Sequence, residues 1–324
     1  MQQITFEANS LQLPKFFIAI TVILIFITPL NAQEHKCNAF EAYKHSEYGK
    51  LRSCANQGNA DAQWLLGFMY LRGENFSKDL KKSLEWFRKA AKSFREAAEQ
   101  GSSMAQAKLG RIYDRRELHN INSFDWSQDW SQEKYNELVS KENKEAYHWY
   151  RKAADQGNNV LAQYLLGELF EDDNIWWPSQ DYAEAIKWYR KAADQDFPIA
   201  QFKLGYMYEY GIGMPQNYRE AIKWYREAAK REVAKLPIEL EFWNHLFSEY
   251  SFGNAFNSLG LMYSNGKGFP QDYIKAHMWF NIGSAMGYSF GRINRDQVEK
   301  LMTKEQVAEA QRLAREWMEK HRKN

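Results

Sequence analysis

The chain has 324 residues, and 43 Lys plus Arg against 41 Asp plus Glu leave a formal net charge of +2. So even a balance argues against a nucleic-acid binder, which gathers basic residues on one face, and 26% charged with 44% hydrophobic residues is the composition of a folded chain. Two cysteines exclude a disulfide-built fold and a four-cysteine zinc site, while 12 Trp and 19 Tyr leave a high aromatic content to be explained.

The first feature in chain order is an apolar run, FFIAITVILIFITPL at 16–30. Its length falls short of the roughly 20 residues of a membrane-spanning helix and suits the apolar stretch of a secretory signal. Lys15 precedes it, and Leu30-Asn31-Ala32 offers a cleavage site before Gln33. These flanks predict a signal peptide over 1–32 and an exported protein, periplasmic or secreted. An uncleaved membrane anchor is the alternative, because the leading segment carries Glu7 and only one Lys. No Cys directly follows the run, which opposes a lipoprotein anchor.

Beyond it, one pattern recurs five times: ADAQWLLGFMY at 60–70, MAQAKLGRIY at 104–113, LAQYLLGELF at 161–170, IAQFKLGYMY at 199–208 and NAFNSLGLMY at 254–263. A second follows each: EWFRKAA at 85–91, HWYRKAA at 148–154, KWYRKAA at 187–193, KWYREAA at 223–229 and MWFNIGSA at 278–285. The Leu-Gly glycine lies 19 residues before the Trp in three repeats, and Trp188 lies 17 before Gly205, a shortest period of 36. That length suits one helix–turn–helix unit of a solenoid. Both patterns have helical spacing: Ala200, Leu204 and Tyr208 share one stripe, as do Ala221, Trp224 and Ala228. A glycine inside a helix costs about 1 kcal/mol against Ala, so its recurrence predicts close approach of a neighbouring helix, with the Ala-Ala pairs opposite and the Trp-Tyr pair between layers.

The turns are patterned too. GIGMPQNYREA at 211–221 and GKGFPQDYIKA at 266–276 combine glycines that permit positive φ with Asn217 and Asp272 as helix caps. Asn217 with Glu220, and Asp181 with Glu184, have capping-box spacing. A nucleotide loop is opposed by the following Pro and the lack of a preceding strand or a Lys-Ser or Lys-Thr pair.

These motifs, AxAQxxLGxxY, GxGxPQDYxxA and WYRKAAxxG over 59–288, resemble the Sel-one-like repeat family, a relative of the tetratricopeptide repeat. The resemblance implies an all-α fold, a right-handed α/α solenoid of about five helix–turn–helix repeats with capping helices. It assigns 33–58 to an N-terminal capping hairpin, 59–290 to the repeats and 291–324 to C-terminal capping helices with a polar outer face. It implies a scaffold or adaptor that binds proteins, and no reaction.

The spacing departs from the period in four places. Twenty extra residues fall near 114–143, bringing Trp126 and Trp130, and 19 near 231–251, where Trp243, Leu246, Phe247 and Tyr250 have helical spacing. The third repeat has Ile175-Trp176-Trp177-Pro178 where glycines stand elsewhere; Trp177 takes the place of Met214 and Phe269, and Trp176 has none. Seven extra residues lengthen the first repeat, nearly two helical turns, so the helix face is kept.

By analogy with tetratricopeptide repeats, the inward positions of the concave face are Trp64 and Phe68, Ala107 and Arg111, Tyr164 and Glu168, Phe202 and Tyr206, and Asn257 and Leu261. As a set they form a candidate peptide groove, since Trp, Tyr and Arg dominate interface hot spots; packing between repeats is the competing use of each. Trp126, Trp130, Trp176 and Trp243 are further candidates for partner contact. Cys37 and Cys54 stand one on each arm of the first hairpin, as a disulfide or as two buried thiols. No metal-ligand spacing, nucleophile elbow or catalytic triad is present among the motifs. The expectation is an exported monomeric scaffold with a protein partner, no cofactor, no metal and no nucleic acid. The alternatives are an envelope-assembly factor whose exposed Trp stack on glycan and, last, a β-lactamase-like hydrolase of the kind that carries a disulfide in every repeat.

Overall fold

The computed structural model describes residues 37–114, 132–172, 180–232 and 253–322. The apolar run at 16–30 and the candidates Trp126, Trp130, Trp176 and Trp243 lie outside them. Among the described residues there are 14 helices and no strand. In chain order they are α1 (Ala39–Lys44), α2 (Tyr48–Asn56), α3 (Ala60–Arg72), α4 (Leu80–Glu99), α5 (Ser103–Tyr113), α6 (Gln132–Gln156), α7 (Val160–Glu171), α8 (Tyr182–Ala193), α9 (Pro198–Tyr210), α10 (Tyr218–Glu232), α11 (Gly253–Asn265), α12 (Tyr273–Ala285), α13 (Ser289–Glu299) and α14 (Lys304–Arg322). Helices α3 to α12 pair as five hairpins, and each hairpin packs on the next through the second helix of one and the first of the other. The chain is an all-α solenoid.

Recurrent polar contacts set this geometry. Asn59, Ser102, Asn159, Asp79, Asp181 and Asp272 each cap a helix by accepting the backbone N–H three residues on, and Asn217 caps α10 through Arg219 and Glu220. The expected return half of the capping box is replaced in the repeats: the cap's own N–H bonds a carbonyl of the first helix, Asp181 to Phe170 at 2.8 Å and Asn217 to Tyr208 at 2.9 Å. Glu184 and Glu220 instead reach Lys187 and Lys223. A reciprocal box forms at α14, between Thr303 and Gln306.

The turn glycines Gly211 and Gly266 hold φ of 71° and 66°. Gly213 and Gly268, also at positive φ, press on Tyr182 and Tyr218 of the preceding repeat, where a Cβ would collide. The Gln after Pro closes the turn: the side-chain amides of Gln216 and Gln271 donate to the carbonyls of Glu209 and Ser264.

Two kinds of side-chain contact recur between neighbouring repeats. The Gln of AxAQ donates across the boundary, Gln63 to the Ala55 carbonyl at 3.0 Å, Gln106 to Ala98 at 2.9 Å and Gln201 to Ala193 at 3.1 Å. The Arg of WYR reaches the next repeat's Tyr: Arg190 donates to the Tyr208 hydroxyl at 2.9 Å, and Arg226 to that of Tyr263. In the lengthened α4 the same work falls on Arg95, which donates to Tyr113, and on Ala98, seven residues beyond Arg88 and Ala91. The heptad insertion therefore preserves the face, as the sequence predicts.

Candidate interaction surface

The Leu-Gly glycine is the pivot of each hairpin. An alanine Cβ at Gly67 would lie 2.5 Å from the Phe87 ring, at Gly110 2.5 Å from Tyr150, at Gly167 2.5 Å from Tyr189 and at Gly205 2.6 Å from Tyr225; Gly260 meets Phe280 in the same way. The close approach expected from the sequence is present, but the partner differs. The glycine faces the ring after the Trp, not an Ala-Ala pair, because the aromatic must lie flat across the first helix for the hairpin to close.

Beside that ring the repeats fall into two kinds. In the second to fourth, the Tyr hydroxyl donates to a carboxylate four residues after the glycine: Tyr150 to Asp114 at 3.0 Å, Tyr189 to Glu171, and Tyr225 to Glu209 at 2.9 Å. A cation stands at each carboxylate: Arg111 lies 3.7 Å from Asp114, Lys203 donates to Glu171 at 2.9 Å and Lys267 to Glu209 at 3.1 Å. Burial, reinforced by the adjoining carboxylates, pushes the Tyr189 and Tyr225 phenols well above their ordinary range. In the first and fifth repeats the ring is Phe87 or Phe280, and the carboxylate is replaced by Leu71 or Ser264. Hydroxyl and carboxylate are present together or absent together, as a buried polar group requires.

The predicted inward residues separate along the array. Trp64 and Tyr164 have no exposed surface, Phe68 has 4%, Arg111 5% and Phe202 7%. They are packed between helices: the Phe68 ring lies 4.9 Å from Trp64 and 5.0 Å from Phe87, Arg111 stacks over Phe68 at 5.6 Å, Tyr164 abuts Phe197, and Phe202 abuts Tyr225. A side chain so enclosed meets a partner only if the hairpin opens, so these five act as core. Glu168, half-buried, accepts the Tyr164 hydroxyl at 2.5 Å, and half-buried Asn257 accepts from Asn294 at 2.6 Å. Tyr206 and Leu261 are 38% and 39% exposed. The first of these stands beside Tyr210, 55% exposed and absent from the sequence-derived set, with ring centroids 4.6 Å apart. The Lys267 ammonium lies 5.8 Å from the Tyr210 and Tyr218 rings. An aromatic four residues after an inward aromatic is a signal the sequence offered.

At the other end Cys37 and Cys54 are joined in a disulfide, Cα atoms 6.0 Å apart. It borders a cavity of ≈ 330 Å³ whose wall includes Phe94, Met104 and the Lys108–Asp61 ion pair at 2.5 Å. Among the described residues no group of three or more His, Cys, Asp or Glu is placed to hold a metal, and no helix is long and apolar enough to cross a membrane.

Stacked hairpins with a partly open inner face define an α/α-solenoid repeat protein. A family model for the Sel1 repeat matches residues 60–93, 135–158, 160–197, 198–232 and 257–288, half of the chain. The protein belongs to the Sel1 repeat family. Among solved structures, a protective antigen present in uropathogenic Escherichia coli strains and displaying an SLR fold is 29% identical, with a TM-score of 0.52. That match covers 85% of this chain and 49% of the antigen, so the chain spans about half the antigen's length. A Sel1 repeat protein from Oxalobacter formigenes is 23% identical, with a TM-score of 0.49, covering 88% of this chain and 98% of that one. No curated protein matches the chain. Sel1-repeat proteins generally mediate protein–protein interactions, and their solenoids are generally non-catalytic scaffolding.

Proposed function

We propose that the protein is an exported scaffold that binds another protein on the inner face of its last two repeats. One observation carries this reading. The position after the Leu-Gly glycine goes from 4% exposed at Phe68 to 38% at Tyr206 and 39% at Leu261. The exposed Tyr206–Tyr210 pair is the chemistry of an interface hot spot, a large contact area held at small entropic cost. Export draws support from the apolar run at 16–30 and from the disulfide, which persists in oxidising compartments.

Co-purification from the cell envelope tests the proposal. Tyr206→Ala with Tyr210→Ala removes partner capture while the melting temperature stays within the range of surface substitutions; capture that survives the pair contradicts it. Pull-down on peptidoglycan separates the glycan reading, which the same exposed rings would serve by stacking on sugar. For the hydrolase reading, a β-lactam turnover assay is decisive, and the described residues hold one disulfide in the cap in place of one per repeat.

A further inference from the structure

The cavity beside the disulfide is built from what sets the first repeat apart. Cys37 and Cys54 close one side, and Ser93, Phe94 and Ala97 come from the heptad that lengthens α4. The N-terminal turns of α3 and α5, with their caps Asn59 and Ser102, form much of the rest. Within this wall stands a pair of opposite charges. Lys108 is 5% exposed, and its ammonium donates to Asp61 Oδ1 at 2.5 Å, beside the rings of Phe40 and Phe94. By register, the equivalent pair one repeat on is Met104 and Leu165, both apolar. An apolar pair of similar volume often stabilises as well as a buried ion pair or better, so stacking alone does not call for charge here. Among the described residues Asp61 is the one acceptor that meets the ammonium's three donors, and the Asp61 side chain is 32% exposed.

We infer that this cavity is a binding site for a free α-amino acid with an apolar side chain. A zwitterion sets its carboxylate on Lys108 and its ammonium on Asp61, so one ion pair becomes two and no charge is left unmatched. A plain anion or cation would leave Asp61 or Lys108 without its counter-charge, and an uncompensated buried charge is costly. The carboxylate also gains from the first turns of α3 and α5, whose leading N–H groups have no intrahelical acceptor. The apolar side chain lies against Phe94, Met104 and the disulfide. A volume of ≈ 330 Å³ stands at the lower end of ligand sites, about 300–1,000 Å³, which suits one amino acid rather than a peptide. The site lies in the first repeat and its cap, so it does not depend on the inner face of the last two repeats.

Isothermal titration calorimetry on the full chain, with L-leucine, L-methionine and L-phenylalanine as probes, tests this. The expected result is one-site saturation by at least one of them. Its N-acetyl derivative, which lacks the ammonium, and its amide, which lacks the carboxylate, bind at least about tenfold more weakly, as loss of a hydrogen bond between charged groups requires. Glycine, without the side chain, gives no saturation. Asp61→Asn weakens the amino acid but not its N-acetyl derivative, which no longer faces an unmatched carboxylate; mere loosening of the cap would weaken both. Asp61→Leu with Lys108→Met supplies the apolar pair of the next interface, so it abolishes binding while helical circular dichroism and melting temperature hold. Saturation by none of the three probes, equal binding of amino acid and derivatives, equal weakening of both by Asp61→Asn, or undiminished binding in the double variant overturns the inference.

Discussion

Phe68 and Leu261 stand at the same place in the repeat, one residue after the Leu-Gly glycine, in opposite surroundings. Phe68 is walled in by Trp64, Phe87 and the Arg111 guanidinium, whereas Leu261 is 39% exposed. The hairpin that carries each is the same, since Gly67 meets Phe87 as Gly260 meets Phe280. The hydrophobic core divides along a similar line, one body running from the cap to Met207 and the other from Phe202 to Ala314, with α9 shared. The fold is thus fixed on the side of the first helix that faces its own second helix. The opposite side is free to be filled, as near the cap, or left open, as near the C-terminus. Partner recognition can change there without disturbing the stack.

The sharpest way to break this comparison is to truncate both ends of it. Trp64→Ala removes a fully buried indole and costs about 3–5 kcal/mol in denaturant unfolding; Tyr206→Ala stays near the roughly 0.5 kcal/mol of a surface change. Equal losses would show that the two inner faces do not differ. Cap stability comes next. Cys37→Ser with Cys54→Ser opens a crosslink of sequence separation 17, worth about 3 kcal/mol on the loop-closure estimate, and hydrogen exchange should rise in α1 and α2 before the last repeats respond. Gly205→Ala tests the shared side. Helix propensity alone favours Ala by about 1 kcal/mol, yet the Tyr225 ring at 2.6 Å makes the net change destabilising by about 1–3 kcal/mol.

The smallest effect is a pH dependence at the open end. Burial holds the His277 imidazole below its ordinary 6.5, against the opposing pull of Glu299 at 3.3 Å. The unfolded chain then binds the proton more readily, so the stability due to neutral His277 is complete above pH 6.5 and is lost as pH falls from there through the lower folded value. His277→Gln flattens that part of a pH–stability profile, and an unchanged slope would assign it to other groups.

The hairpins, their caps and the effect of the heptad in α4 were legible in the sequence because period and cap chemistry are local. So was the tightness around the Leu-Gly glycine, though not its partner, since a ring 20 residues away must be placed in space before it can be matched to a glycine. The pairing of Tyr150, Tyr189 and Tyr225 with Asp114, Glu171 and Glu209 was written there as covariation between repeats. The inner face was the least legible part. Position within the repeat says where Trp64, Phe68, Arg111, Tyr164 and Phe202 point, but burial depends on what the neighbouring hairpin places against them. The exposure of Phe290 and Ile293 on α13 was hidden for the same reason, as α14 folds onto α12.

Hydroxyl-radical footprinting of the free protein, read residue by residue by mass spectrometry, tests the central claim most directly. The structure predicts heavy labelling of Tyr206, Tyr210 and Leu261 with protection of Trp64, Phe68 and Tyr164, and loss of the tyrosine labelling when the partner is bound. Labelling of Phe68 at the rate of Leu261, or protection of Tyr206 and Tyr210 in the free chain, would contradict it.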